Sequence, residues 1–547
     1  MSKYSIGLDF GTLSVRAVII DTETGREMAS AVSEYAHGII STEFLDGSAL
    51  PMDFALQHPR DYLESMYYVV RESIKGAKID PADIIGVGVD FTAATVLPVT
   101  EDGTPLCFLE EFKNEPHAYA KLWKHHAAES EAREINELAK ARGEGWLKKY
   151  GGTISSEWLL PKVLETLRRA PAVYDAAFRF IEAGDFIVWQ LTGKETHSVC
   201  QAGFKATWDE ETGYPSEEFL SLLDKRLTNV TKTKISDKII RLSENAGYVT
   251  KEASEKTGLC EGTVVKPAFI DAHAALPALG ITSPGEMLMI IGTSSCHILL
   301  GDKKCFIPGI SGFVKDGIVD SLYAFEAGQA SVGDGFEWFI KNCVPLSYYE
   351  AAEREGVNIH ALLTKKAEKI KAGASGIMAL DWFNGNRTPY VSGALSGLIL
   401  GLNLNTRPEE IYRALIEATA FGAKRIIDLY ENSGIQINTV YAAGGIAEKN
   451  ALLMQIYSDV LGKEIILSAT SQACAYGSAI LGAVSEKGYA SLTNAAKKLK
   501  QISDVSYKPN MENNAVYARI YKEYLEISEF FANSKNKTMQ NLRKEKI

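Results

Sequence analysis

The chain has 547 residues, 46% of them hydrophobic, and 58 Lys and Arg against 69 Asp and Glu give it a net charge of −11. This is ordinary globular composition, enough for two large domains or three smaller ones, and an acidic chain without a basic stripe suits neither nucleic acid nor an anionic membrane surface. No stretch approaches 18 uninterrupted apolar residues, the start lacks a signal-peptide pattern, and seven dispersed cysteines include no C-x-x-C. The expectation is a cytoplasmic protein with reduced thiols and no zinc site.

In chain order, "IGLDFGTLSVRAVIID" predicts two apolar strands joined by a turn at Phe10-Gly11-Thr12. The first strand ends on Asp9. An acid followed by Gly-Thr is poor core material, and it makes sense where something charged must approach. Residues 59–75 predict an amphipathic helix with Pro59 near its first turn. "IIGVGVD" predicts a buried strand ending on Asp90. Residues 116–142 predict a charged helix; the adjacent His125 and His126 point apart on it, which disfavours a metal role. "RFIEAGDFIVWQLTGK" predicts a strand, a loop, and a helix capped by Asp185 and closed by Gly193. "VVKPAFID" predicts another strand, ending on Asp271.

After Pro284-Gly285 the pattern restarts. "EMLMIIGTSSCHILLGD" again predicts strand, Gly-Thr turn at Gly292-Thr293, strand. "PEEIYRALIEATAFGAKRIIDLYENSG" predicts a long helix closed by Gly434, "TVYAAGGIAEKN" a strand running into the Gly444-Gly445 turn, and "ACAYGSAILGAVSEKG" a helix of small residues. The last 15 residues, polar and basic, predict a frayed tail. Strands alternating with helices predict an α/β fold. The repeated hairpin predicts two similar domains facing each other, residues 1–280 and 281–547, with the boundary near 276–286.

Ligands of α/β sheets sit at the carboxyl ends of strands, where Asp9, Asp90 and Asp271 fall. Glycine lets backbone N–H groups come close to an anion, Thr12, Thr293 and Ser294 add hydroxyls, and Arg16 adds a cation. Asp9 beside a phosphate would repel it unless a metal ion, usually Mg²⁺, lies between them. The two tips facing across a cleft could hold a polyphosphate. Gly444-Gly445 would let a flat ring lie on bare backbone, with Asn450 nearby as a hydrogen-bonding partner. An aspartate shielded from water, as Asp271 is expected to be at the domain junction, can act as a general base toward a hydroxyl; His273 reads as structural or orienting.

These residues, with "GVGVDFTAAT", "YGGTISSEWLLPK", "AGFKATW", "FEAGQASVGDGFEWF" and "GALSGLILGLNLNTRPEEIYRALIEATAFG", resemble the FGGY carbohydrate kinases over roughly residues 4–500. The resemblance implies two actin-like (ribonuclease H-like) α/β domains with the active site between them, the sugar side in the first domain and the ATP side in the second. It implies ATP and Mg²⁺, with Asp9 holding the metal and Gly11, Thr12, Arg16, Gly292, Thr293 and Ser294 facing the phosphates. Gly444, Gly445 and Asn450 would border the adenosine. Asp271 would be the catalytic base, and Ala93, Lys205 and Glu326 would line the sugar pocket with it; from the residues alone, Lys205 and Glu326 read as a surface salt bridge. "DFTAAT", "GGTISSEW" and "DAHAA" point to a ketopentose, L-ribulose in arabinose use. Alternatives left open are another sugar or polyol, such as xylulose or D-ribulose, and a non-catalytic nucleotide switch on the same fold. The oligomeric state is open, a homodimer included.

Overall fold

The first strand puts Ile6, Leu8 and Phe10 on one face and Ser5, Gly7 and Asp9 on the other, and all six are buried. A strand buried on both faces belongs in the middle of a sheet. That is its place in the computed structural model, which describes residues 3–533 and 535–544. The first sheet runs Glu27–Glu34, Ser14–Asp21, Tyr4–Phe10, Ile84–Phe91, with Val264–Val265 and Phe269–Ile270 both paired along Ile84–Phe91 and Gly247–Tyr248 outermost. The second runs Gly312–Lys315, Tyr323–Gln329, Ser295–Gly301, Glu286–Ile291, Thr439–Ala443, Ile465–Ser468, Ile502–Tyr507.

The two sheets share one plan. Each is built on a hairpin whose second strand takes an antiparallel neighbour and whose first strand takes a parallel one. The restart read after Pro284-Gly285 is therefore a structural repeat. The first hairpin closes with Gly11 N–H donating to the Ser14 carbonyl at 2.9 Å, the second with Gly292 N–H donating to that of Ser294 at 2.9 Å.

One helix joins the halves. Ala473–Gly482 comes from the second half of the chain but lies on the first sheet. Parallel register sets Ser5 beside Gly86, Gly7 beside Gly88 and Asp9 beside Asp90. These residues make a flat, small-residue face, and the helix backbone rests on it. A Cβ at Gly7, Gly86 or Gly88 would collide with the carbonyl oxygens of Ala475, Gly482 or Ser478. On its other side Gly477 meets the backbone of Ala274, in the helix Asp271–Ala278. Ser5 Oγ donates to the Ala479 carbonyl at 2.7 Å, and Ser478 Oγ donates to the Asp90 carboxyl at 2.6 Å. Glycine costs a strand stability, and here it marks close backbone approach.

Several local expectations are corrected. Residues 116–128 are not α-helical: Pro116–Ala118 is a single 3-10 turn, Ala120–Lys121 adds to the Leu56–Gln57 strand, and the α-helix begins at Glu129. Burial of Lys121, whose Nζ meets Glu165 at 2.7 Å, outweighs helical propensity there. The loop expected before Asp185 is absent; the helix Ala183–Thr192 follows the strand directly, and Asp185 in its first turn accepts from Ser198 N–H at 2.9 Å. Pro267, which has no N–H to donate, splits the strand expected at 264–271 into two short ones. The polar tail is partly ordered, because Thr538–Lys544 is helical and Met539 is buried in the second half's core. Residues 534 and 545–547 of that tail lie outside the described residues. Among the described residues no helix is long and apolar enough to cross a membrane.

The glycine contact yields a prediction. Gly88→Ala forces a methyl into the Ser478 carbonyl and lowers stability by an amount at or beyond the upper end of the ~1–3 kcal/mol typical of overpacking. Gly145→Ala, at an exposed helix start with open space around it, leaves the melting temperature unchanged or raises it. Thermal unfolding of the two variants side by side checks this.

Candidate active site

The strand ends bring the three acids together as their positions suggested. Asp9 and Asp90 are register partners, and Asp90 also pairs with Phe269, two residues before Asp271. Their environments differ. Asp9 is ion-paired with Arg16 at 3.3 Å. Asp90 is fully buried, and burial together with the Asp9 charge pushes its carboxyl well above the usual range. Its Oδ1 has no hydrogen-bond partner among the described residues. Among those residues no cluster of three or more metal-ligating side chains occurs. The Asp9 carboxylate, two residues before the Gly11 tip, is a hard oxygen donor of the kind that suits Mg²⁺.

The hairpin tips face open space. At Gly11 an added Cβ would meet nothing closer than the Ser14 carbonyl oxygen at 3.4 Å, and at Gly292 nothing closer than that of Ser294 at 3.9 Å. Unlike Gly7 or Gly88, these glycines are not required by packing within the protein. Thr12 is held from behind, since its carbonyl accepts from Gln57 Nε2 at 2.6 Å and its Oγ1 accepts from the Trp123 indole at 3.1 Å.

A cavity of about 330 Å³ opens between the halves and is lined by Thr12, Ala93, Lys205, Asp271, Ser294 and Glu326, among others. Five of these were expected on the sugar or phosphate side of a single site, and Asp271 lies with them. Lys205 and Glu326 are not on the surface. Lys205 Nζ donates to Glu326 Oε1 at 2.7 Å across the cleft, with little of either side chain exposed. Glu326 belongs to the second half, on the strand Tyr323–Gln329. The cavity therefore draws on both halves.

The electrostatics follow from burial and pairing. Burial pushes the Asp271 carboxyl up to about 7, against the Ala272 N–H that its Oδ1 accepts at 2.6 Å; the Asp9 and Glu326 charges add to the rise. Burial alone would raise Glu326 too, but the Lys205 ammonium and the His273 ring hold it well below the ordinary carboxylate range. His273 Nε2 lies 3.0 Å from Glu326 Oε2 and its Nδ1 lies 3.2 Å from the Cys200 thiol. A carboxylate can only accept, so Nε2 carries the proton and donates. His273 thus orients Glu326, in keeping with the role read for it.

A second, more open pocket of about 780 Å³ lies beyond the other tip, lined by Gly292, Thr293, Phe336, His360, Tyr412, Gly445 and Asn450 among others. Asn450 also caps the helix Ala451–Leu461 by accepting from Leu453 N–H at 3.0 Å. Gly445 has open space above it, which suits a ring laid on backbone. Gly444 does not line the pocket. It sits at φ +101°, where an added Cβ would strike the Ile291 carbonyl oxygen, so its work is to pass the chain over the neighbouring strand. Trp123, Gln57, His360 and Tyr412 were not read from the sequence. Nothing in their local sequence sets these residues apart from the other aromatic, amide and imidazole side chains, which are too common to use.

Removing one partner of the buried pair should be costly. Glu326→Ala strands the Lys205 ammonium and lowers stability by about 3–5 kcal/mol, while the double change Lys205→Met with Glu326→Leu recovers most of it. Because the Glu326 carboxyl is held below the ordinary glutamate value of 4.5, the loss is full above that pH and shrinks on acidification. Denaturant midpoints at neutral and acid pH check both the size and the direction.

Comparison with known proteins agrees with this layout. The N-terminal domain of the FGGY family of carbohydrate kinases matches residues 4–278 and its C-terminal domain matches residues 287–486. A ribulokinase of Bacillus licheniformis is 48% identical over 97% of this chain and 97% of its own length. A ribulokinase of Halalkalibacterium halodurans is 46% identical over 99% of this chain and 97% of its own. Among solved structures, a xylulose kinase from Rhodospirillum rubrum superposes with a TM-score of 0.79 at 23% identity, covering 97% of this chain and 99% of that one. A gluconate kinase from Lactobacillus acidophilus gives 0.80 at 19%, covering 98% and 99%. At such identities the structural likeness speaks for the fold, and the family matches carry the rest. The chain belongs to the FGGY family of carbohydrate kinases and has that family's two-domain α/β fold.

Proposed function

We propose that the protein transfers the γ-phosphoryl group of ATP to the C5 hydroxyl of a ketopentose, L-ribulose, and so serves arabinose use. The observation that carries the reading is that Asp271, its carboxyl pushed up to about 7 by burial, shares one cavity with Thr12 and Ser294 from the facing hairpin tips. The substrate follows from the near full-length ribulokinase relatives.

In this reading the sugar lies against Ala93, Lys205 and Glu326. Hydroxyls both donate and accept, so they can satisfy the ammonium and the carboxylate together. Asp271 takes the proton of the reacting hydroxyl. The nucleotide lies in the larger pocket with its ring by Gly445 and Asn450. Its phosphates run between Gly11, Thr12 and Arg16 on one side and Gly292, Thr293 and Ser294 on the other. Asp9 would hold the Mg²⁺ that accompanies ATP, which would supply charge neutralisation on the phosphates. There is little covalent chemistry for side chains to do, so placement of the two substrates dominates. A contact across the cleft, from Gly309 N–H to the Gly151 carbonyl at 3.0 Å, helps exclude water from the acceptor side.

The test is ADP release from ATP-Mg with L-ribulose, D-ribulose, D-xylulose, glycerol and no sugar. Strong preference for L-ribulose is expected. Preference for another acceptor would overturn the substrate, and equal release with every sugar and none would overturn the kinase. Two further outcomes are expected of Asp271. Activity of the wild type, as kcat/KM, rises through pH 7 and flattens above it, because the base must be ionised. Asp271→Asn lowers turnover by about 10²–10⁴-fold. Its melting temperature above pH 7 matches or exceeds that of the wild type, since a raised carboxyl costs stability as pH climbs through its folded pKa.

A further inference from the structure

The acceptor cavity has a second cation besides Lys205, and it is unengaged. Arg387 lines the cavity together with Thr12, Asp271, Ser294 and Glu326. Lys205 is already paired with Glu326. Arg387 makes no ion pair and no side-chain hydrogen bond to any other described residue, although it is half-buried. A guanidinium carries five N–H donors, and leaving them without acceptors in a partly desolvated site is unfavourable unless a ligand supplies them.

The sheet register says where this cation lies. On the strand Tyr323–Gln329, Glu326 faces Ile298, Gly328 faces Cys296 and Gln329 faces Ser295 of the neighbouring strand. Glu326 and Gly328 share a face and stand about 7 Å apart along the strand. Going from one to the other leads away from the sugar clamp and toward the Gly292–Ser294 tip. A Cβ at Gly328 would strike the Ser295 carbonyl oxygen at 2.6 Å, and Arg387 packs over the same bare backbone: its Cδ lies 3.3 Å and its Nη1 3.4 Å from where that Cβ would stand. The guanidinium is therefore set between the group that holds the sugar and the tip that faces the phosphates.

Its loop is braced. Asn386 and Ser392 exchange backbone hydrogen bonds of 3.0 and 2.8 Å. Gly328 N–H donates to Thr388 Oγ1 at 3.3 Å, and Tyr390 N–H donates to Asn386 Oδ1 at 2.9 Å. The backbone that carries Arg387 is thus fixed, which limits the reorganisation needed to bring its donors to a developing charge.

We propose that Arg387 is a catalytic residue that binds the phosphoryl group in transit and the phosphate of the product. The inference rests on the kinase reading above. In the step, the sugar oxygen bonds to the γ-phosphorus as the bond from that phosphorus to the β–γ bridging oxygen breaks. The electron pair leaves with ADP and the hydroxyl proton goes to Asp271; Arg387 gives and takes no proton. A neutral sugar already finds donor and acceptor in Lys205 and Glu326. An extra planar cation matches an anionic group with paired oxygens.

Arg387→Gln and Arg387→Lys test this, with kcat, both KM values, and calorimetric affinities for L-ribulose and L-ribulose 5-phosphate. Arg387→Gln is expected to lower kcat by about 10²–10³-fold with the sugar KM changed less than about threefold. It should weaken binding of the phosphorylated product at least about tenfold while leaving the unphosphorylated sugar alone. Arg387→Lys should restore part of the loss, which a purely structural defect would not allow. An undiminished Arg387→Gln variant beside a normal wild type overturns the inference and leaves the kinase standing. Weaker binding of both sugars alike also overturns it, placing Arg387 in the sugar clamp. A wild type with no sugar-dependent ADP release removes the kinase reading and this inference with it.

Discussion

The backbone contact between the helix Ala473–Gly482 and the first sheet is the constraint on which the rest of the molecule depends. Gly7, Gly86 and Gly88 let a helix from the far half of the chain settle directly on two central strands. The same strands end, on the same face, in Asp9 and Asp90. One packing decision thus fixes where the halves meet and where the acids stand. Gly477 carries the contact on to the helix that Asp271 begins. A larger residue at any of these positions would move Asp271 relative to the Gly11-Thr12 tip. A displacement of about 1 Å in such a geometry can cost two orders of magnitude in rate.

The hairpin tips then act as a partition between two pockets. Thr12 and Ser294 look into the smaller cavity with Asp271, Lys205 and Glu326. Gly292 and Thr293, one residue away on the second tip, look into the larger one. The acceptor side is also wired to the first tip, through the Trp123 indole on Thr12 and the Gln57 amide on its carbonyl. His273, two residues beyond Asp271, holds the Glu326 carboxylate. The helix that Asp271 begins is thereby tied to the Lys205–Glu326 pair, and that pair spans both halves.

What could be read from the sequence is what obeys a local period. "GLDFG" and "GVGVD" alternate glycine or acid with large apolar residues, and that period of two already separates the face of the sheet that is packed by side chains from the one that is packed by backbone. The restart at "IIGTSS" was legible for the same reason, as were the long helix ending near Gly434 and the small-residue helix at 473–482. Pairs set by topology were not. Lys205 and Glu326 lie 121 residues apart and in different halves; without the family resemblance they read as surface charges, and nothing in either segment says that they meet. The helix expected over 116–128 failed because strand pairing and the burial of Lys121 outweighed a helical composition. Gly444 looked like part of a ligand platform and proves to be needed by its own backbone angle and by Ile291. Arg387 sits in a loop without periodicity, and nothing local says that its side chain packs over Gly328.

The claim that ties these features together is that the cleft passes a phosphoryl group from one pocket to the other. A single-turnover experiment with γ-labelled ATP, Mg²⁺ and L-ribulose, enzyme in excess, measures it directly. The account predicts that the label appears on C5 of the sugar as fast as ADP forms, with little inorganic phosphate. Label found in inorganic phosphate at a rate indifferent to the sugar would contradict it.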